Sequence, residues 1–235
     1  MHLIYSIIRH KLTTMRIRRK KNLEERLALL CDYILPIDTS IKNVKEAIEK
    51  KEYITAKGVF LSDKPLCLEI GCGKGAFIIN MARLQPQFNY IAVEMMENII
   101  VMAGESAKNN KISNVKFLNT SAEYLPRYLR ENSIEKIFLN FSPPYPQKSY
   151  ECRRLTNDRF VQEYYYLLKT GGIVEQKTDD YDFFIYSKEK FSSNGFEVLD
   201  VSDELSSDKN NIVTEYEQKF RSLGQPIYKL IAKKI

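Results

Sequence analysis

From residue 66 onward, short apolar runs alternate with longer stretches whose apolar residues recur at helical spacing. The runs predict strands over 65–70, 90–94, 115–118, 136–141, 173–177, 196–201 and 227–232. Between them the spacing predicts helices over 75–84, 96–109, 122–131, 156–168, 180–193 and 214–222. Local signals place the boundaries: Thr156 as a helix N-cap, Gly171-Gly172 as a helix stop, Gly195 as a break and Gly224-Gln225-Pro226 as a turn. Upstream, Leu23, Leu27, Leu29 and Leu30 among charged residues predict a helix over 22–35, and a second is predicted over 42–53. Repeated strand–helix units imply an α/β domain, doubly wound, with a seven-stranded, mostly parallel sheet and helices on both faces. The chain thus divides into an arm (1–21), a helical extension (22–64) and the α/β domain (65–235).

Composition adds little for the body of the chain and much for its start. The net charge is +6, yet residues 1–21 alone carry +7 with no acid, which leaves 22–235 at −1. A basic arm on a near-neutral body suits phosphate backbones. The six-residue apolar stretch Leu3–Ile8 is too short for a signal core or a membrane span. Four cysteines at no metal or disulfide spacing, and two histidines within the first ten residues, argue against a metal site and for a reducing cytoplasm.

In a doubly wound sheet, ligands bind beyond the carboxyl ends of the strands. The residues just after each strand therefore belong together. After the first comes Glu69-Ile70-Gly71-Cys72-Gly73-Lys74-Gly75. Its G-x-G-x-G spacing differs from the dinucleotide fingerprint, and Glu69 would repel a pyrophosphate but welcome an ammonium. The loop suits the cationic nucleoside S-adenosylmethionine. Glu94, 23 residues after Gly71, can take ribose hydroxyls, and Met95 can pack on adenine. Ser121 and Ala122 follow the third strand, where contacts to the adenine edge are expected. After the fourth come Asn140, Phe141, Ser142, Pro143, Pro144, Tyr145 and Pro146, a stiff loop with few N–H donors. Arg153 and Arg154 read as phosphate contacts, balanced against Glu151 and Asp158. Asp179 and Asp180 face the same crevice, and Glu215 and Glu217 open the last helix.

These residues resemble the bacterial tRNA (guanine-N7-)-methyltransferase family. The resemblance rests on Met15-Arg16-Ile17-Arg18, Leu68–Gly75, Asn89-Tyr90-Ile91, Leu139–Ser142, Arg153-Arg154-Leu155-Thr156, Lys177-Thr178-Asp179, Thr214–Phe220 and Gly224–Tyr228, in family order. It implies a Rossmann-like class I methyltransferase that moves a methyl group from S-adenosylmethionine to N7 of a guanosine in the tRNA variable loop. The implied partner is tRNA and no membrane, with the chain a monomer or homodimer. Residues 1–14 then read as an upstream extension or a misplaced start. The implied cofactor residues are Glu69, Gly71, Gly73, Gly75, Glu94, Met95, Ser121, Ala122 and Asn140. The implied substrate residues are Ser142, Pro143, Tyr145, Gln147, Arg153, Arg154, Asp179, Thr214, Glu215, Tyr216 and Glu217, with Asp179 the implied catalytic residue.

The chain departs from the family pattern Asn-Phe-Ser-Asp-Pro-Trp-Pro-Lys at Pro143, Tyr145 and Gln147. Ser121 stands for an Asp, and Ser149-Tyr150 for an Arg-His pair. Two alternatives follow. Ser142-Pro143-Pro144-Tyr145 resembles the loop of amino-group methyltransferases, and the chain could instead be a tRNA-binding homologue with weakened catalysis.

Overall fold

A computed structural model describes residues 20–202 and 215–235. Seven strands, β1 (Leu66–Ile70), β2 (Asn89–Val93), β3 (Val115–Leu118), β4 (Ile134–Asn140), β5 (Leu168–Thr178), β6 (Phe196–Ser202) and β7 (Tyr228–Lys234), form one sheet in the order β3-β2-β1-β4-β5-β7-β6. The first five run parallel. β7 runs antiparallel to both of its neighbours. The strand order reverses between β2 and β4, on either side of β1, which opens a crevice at the carboxyl ends there.

All five residues of β1 are buried, as expected of a strand covered on both faces. Leu66, Leu68 and Ile70 pack with α7 (Asp158–Leu167) and α8 (Tyr181–Ser193), through Phe160, Val161, Tyr164, Phe184 and Phe191. Cys67 joins the opposite core with α4 (Ala76–Leu84) and α5 (Glu97–Asn109), through Phe77, Ile78, Ile100 and Ala103. Glu69 points to that second face, a charge-bearing residue at the rim of an apolar layer.

The extension wraps this core in shorter pieces than the periodicity predicts. α1 (Leu23–Ala28) and α2 (Val44–Glu49) replace the helices predicted over 22–35 and 42–53, and an unforeseen helix, α3, covers Ala56–Phe60. Between α1 and α2, Ile34 pairs in parallel with Phe117, so the chain covers the edge of β3 instead of continuing as helix. The helix predicted over 122–131 is a 3-10 turn, Ala122–Tyr124, followed by α6 (Leu125–Tyr128). It stops there because the extension uses its carbonyls: Glu52 N donates to Arg127 O and Ile54 N to Tyr128 O.

Two boundaries need correction. The cap of α7 is Asn157, whose side chain accepts from Arg159 N, while Thr156 is buried with its hydroxyl 2.8 Å from that of Ser187. Gly171-Gly172 do not stop α7. That helix ends at Leu167, where Lys234 Nζ donates to the carbonyls of Tyr165 and Leu168. The glycines instead lie inside β5, where the β4–β5 register shifts and Gly171 takes φ 79°. A Cβ on Gly172 would lie 2.9 Å from Lys169 O.

Arg127, fully buried, fastens the extension to the domain. Its Nη2 lies 2.6 Å from Glu52 Oε1 and 3.2 Å from Asp38 Oδ2. Replacing Arg127 with Ala should cost about 3 kcal/mol in urea unfolding, since the side chain's volume and ion pairs are lost together. A loss below about 0.5 kcal/mol would mean that the extension adds nothing to the domain's stability.

Candidate active site

The glycine loop leaves β1 by bending back on β2: Gly71 N and Cys72 N both donate to Val93 O, at 2.8 and 3.0 Å. Gly71, Gly73 and Gly75 all take positive φ. Only Gly75 is also required by packing, because a Cβ there would sit 2.9 Å from Ala103 Cβ, where α4 meets α5. In front of Gly71 and Gly73 a Cβ would meet nothing within 4 Å. The loop therefore presents bare backbone to open space.

Two carboxylates flank the loop. Glu69 is buried; its Oε1 accepts from Asn140 Nδ2 at 3.0 Å, and its Oε2 has no hydrogen-bond partner among the described residues. Burial pushes this carboxyl up to about 7, against the opposing pull of the Asn140 bond and the Lys177 charge. Glu94 holds the loop: its Oε2 accepts from Gly73 N at 3.2 Å and its Oε1 from Met96 N at 2.9 Å. Burial raises Glu94 too, while its backbone bonds oppose the rise. Asn119 Nδ2 donates to Glu94 O and so ties in the end of β3. Met95 is exposed beside Glu94, Ser121 is half-buried without capping the following turn, and Ala122 is buried.

Across the crevice, Asn140 ends β4 and Phe141 N donates to Lys177 O. Ser142 is buried with its hydroxyl unpartnered among the described residues. Pro143 is exposed, and Tyr145, half-buried, takes φ 42°. Gln147 and Arg153 are exposed, and the Arg153 guanidinium lies 4.8 Å from the Tyr150 ring. Arg154 is turned inward, onto the carbonyls of Pro144 and Tyr145. Asp179 follows β5, partly buried, and its neighbour Asp180 caps α8 by accepting from Phe183 N.

The last site segment lies on α9 (Glu215–Ser222). Thr214 lies outside the described residues; Glu215 begins the helix, and Tyr216 is exposed. Tyr216 and Phe220 stack near-parallel on Phe141, at ring distances of 6.1 and 5.9 Å. Glu217 is not at the surface. It is buried, 3.4 Å from Lys177 Nζ and 2.6 Å from Arg221 Nη2. The structure thus brings together Glu69, Glu94, the glycines and Asn140, and sets Glu217 and Arg154 into supporting contacts. Lys177 and Phe141, absent from the site residues implied by the sequence, link this side of the crevice to α9. Lys177 follows the polar pair Glu175-Gln176, so no apolar pattern in the sequence singles it out.

An α/β sheet in this order, with β7 antiparallel and a glycine loop after β1, defines a class I methyltransferase fold. The 16S rRNA methyltransferase KamB shares it, with a TM-score of 0.57 at 12% identity, covering 84% of this chain and 95% of that one. A family model described as "Putative methyltransferase" matches residues 63–230. The tRNA (guanine-N(7)-)-methyltransferase of Bacillus subtilis (strain 168) is 42% identical over 173 residues, 73% of this chain and 81% of the relative. That of Alkaliphilus oremlandii (strain OhILAs) is 39% identical over 205 residues, 83% and 97%. The chain belongs to the tRNA (guanine-N(7)-)-methyltransferase family.

A raised carboxyl binds more protons folded than unfolded, so it lowers stability as pH climbs from its unfolded value to its folded one. For Glu69 that window runs from about 4.5 to about 7. Without ligand, Glu69→Gln should therefore gain stability relative to the parent protein as pH rises through this window, by about 3 kcal/mol at most. Unfolding curves at pH 5 and pH 8 with the same difference between the two proteins would refute the buried charge.

Proposed function

We propose that this protein transfers a methyl group from S-adenosylmethionine to N7 of a guanosine in tRNA, in the variable loop. The observation that carries the reading is the buried Glu69 carboxylate, with one oxygen unpartnered among the described residues, beside a loop of bare glycine backbone. An unpaired buried acid suits an ammonium, and the open face of Gly71 and Gly73 leaves room for a nucleoside against the main chain. Glu69, the glycine loop, Glu94, Met95, Ser121, Ala122 and Asn140 would hold the cofactor. The cofactor supplies an electrophilic methyl group.

The residues' own work is then alignment and charge. Guanine N7 has an in-plane lone pair and no proton to lose, so no general base is required. The purine becomes cationic as it is methylated, and an acid at the crevice stabilises that charge. Asp179 takes this role, since Pro143 stands where the family pattern that the chain resembles has an Asp. Tyr145 and Tyr216 offer aromatic faces to the base. Arg153 and the cations of residues 1–21 take tRNA phosphates.

Incubating tRNA with the protein and labelled cofactor, followed by nucleoside mass spectrometry, should place the label in 7-methylguanosine. Label in N6-methyladenosine would favour amino-group chemistry at the Ser142–Tyr145 loop, and tRNA binding without label a binding protein. Glu94→Ala should weaken cofactor binding in calorimetry by at least ~10-fold, with the fold intact. Deleting residues 1–19 removes five Lys and Arg residues. It should flatten the salt dependence of tRNA binding by ~0.7–0.9 in log–log slope for each phosphate that the arm no longer neutralises. An unchanged slope would remove the arm from the interface.

A further inference from the structure

We infer that Arg154 is a positioning residue that clamps the substrate loop at 143–146 from behind, and that Arg153 alone of the pair meets tRNA phosphate; this rests on the methyl-transfer reading above. Pro143, Pro144 and Pro146 have no N–H, so the loop has little backbone bonding of its own with which to fix its course. Arg154 supplies the missing donors from outside. Its Nε donates to Pro144 O at 2.9 Å and to Tyr145 O at 3.3 Å, and its Nη2 donates to Tyr145 O at 3.1 Å. The flat guanidinium also lies 4.3 Å from the centre of the Tyr186 ring on α8. Tyr186 Oη in turn accepts from Asn157 Nδ2, the cap of α7. Loop, α7 and α8 thus meet at one side chain.

Two further observations fit a clamp and disfavour a phosphate contact. Tyr145 takes φ 42°, a left-handed conformation unfavourable for a non-glycine residue, and its carbonyl receives two of the three bonds. The cleft beside Arg154, of about 320 Å³, is lined also by Asp180, Asp182 and Glu189, whose charges repel an anion. Arg153 has the contrary setting: it is exposed and lies against the exposed Tyr150.

The test compares Arg154→Ala, Arg154→Lys and Arg153→Ala in the full-length protein. Three readouts are single-turnover methylation, tRNA affinity against salt, and amide hydrogen exchange across 140–154. Arg154→Ala should slow methyl transfer roughly 10- to 100-fold, as expected of a misplaced substrate loop. Its tRNA affinity and salt slope should stay those of the parent, and exchange in 140–154 should rise about tenfold. Arg154→Lys should restore little of the rate, because an ammonium cannot span both carbonyls and lie flat on Tyr186. Arg153→Ala should do the reverse: weaker tRNA binding, a slope reduced by ~0.7–0.9 and unchanged exchange. Weaker, less salt-dependent tRNA binding by Arg154→Ala, with exchange unchanged, would overturn the proposal. If the parent protein methylates no tRNA, the functional reading fails, while the exchange data still decide for or against the clamp.

Discussion

A carboxylate in an apolar layer is the constraint around which this structure is arranged. Glu69 belongs to a strand whose five residues are all buried, so its charge has to be met inside the protein or by something that arrives there. Asn140 satisfies one oxygen. The nearby positive charge is Lys177, which is itself buried and 3.4 Å from Glu217. Burial lowers the Lys177 ammonium while the acids around it oppose that fall. Glu217 in turn receives Arg221. A line of buried polar groups therefore runs from the end of β1 across β4 and β5 to α9. It couples the placement of the glycine loop to the placement of the last helix, on the two sides of the crevice.

The loop between β4 and α7 is stiffened differently. Its prolines remove donors, and its shape comes from a single guanidinium seated on an aromatic ring. Phe141, just before it, stacks with Tyr216 and Phe220 of α9. Thus the loop is held on one side by Arg154 and on the other by rings of the helix that the Lys177–Glu217 pair docks. Proximity and orientation carry most of the catalytic load in a reaction without a proton to abstract. A site made of fixed walls suits that chemistry.

The central strands were legible because burial on both faces leaves near-continuous apolar runs, as in Leu66–Ile70 and Asn89–Val93. Glu69, the three glycines and Glu94 were legible because strand ends at a topological switch point form one crevice. Other features had no local signal. Gly171-Gly172 read as a helix stop, yet Lys234 caps that helix from 66 residues away and the glycines serve a register shift. The helix predicted over 122–131 ends early because the extension claims its last carbonyls. Arg153 and Arg154 are chemically identical neighbours, and only the fold turns one inward. The Lys177–Glu217 pair spans 40 residues, a distance across which charge patterns say nothing.

The buried Glu69 charge is tested most directly by proton release on cofactor binding. S-adenosylmethionine is titrated calorimetrically at pH 7 into the parent protein and into Glu69→Gln, in buffers of different ionisation enthalpy. A carboxyl held near 7 by burial is partly protonated before binding and ionises when a cation pairs with it. The parent should release a fraction of a proton that Glu69→Gln does not. Equal proton exchange by the two proteins would contradict it and place the cofactor's cation elsewhere.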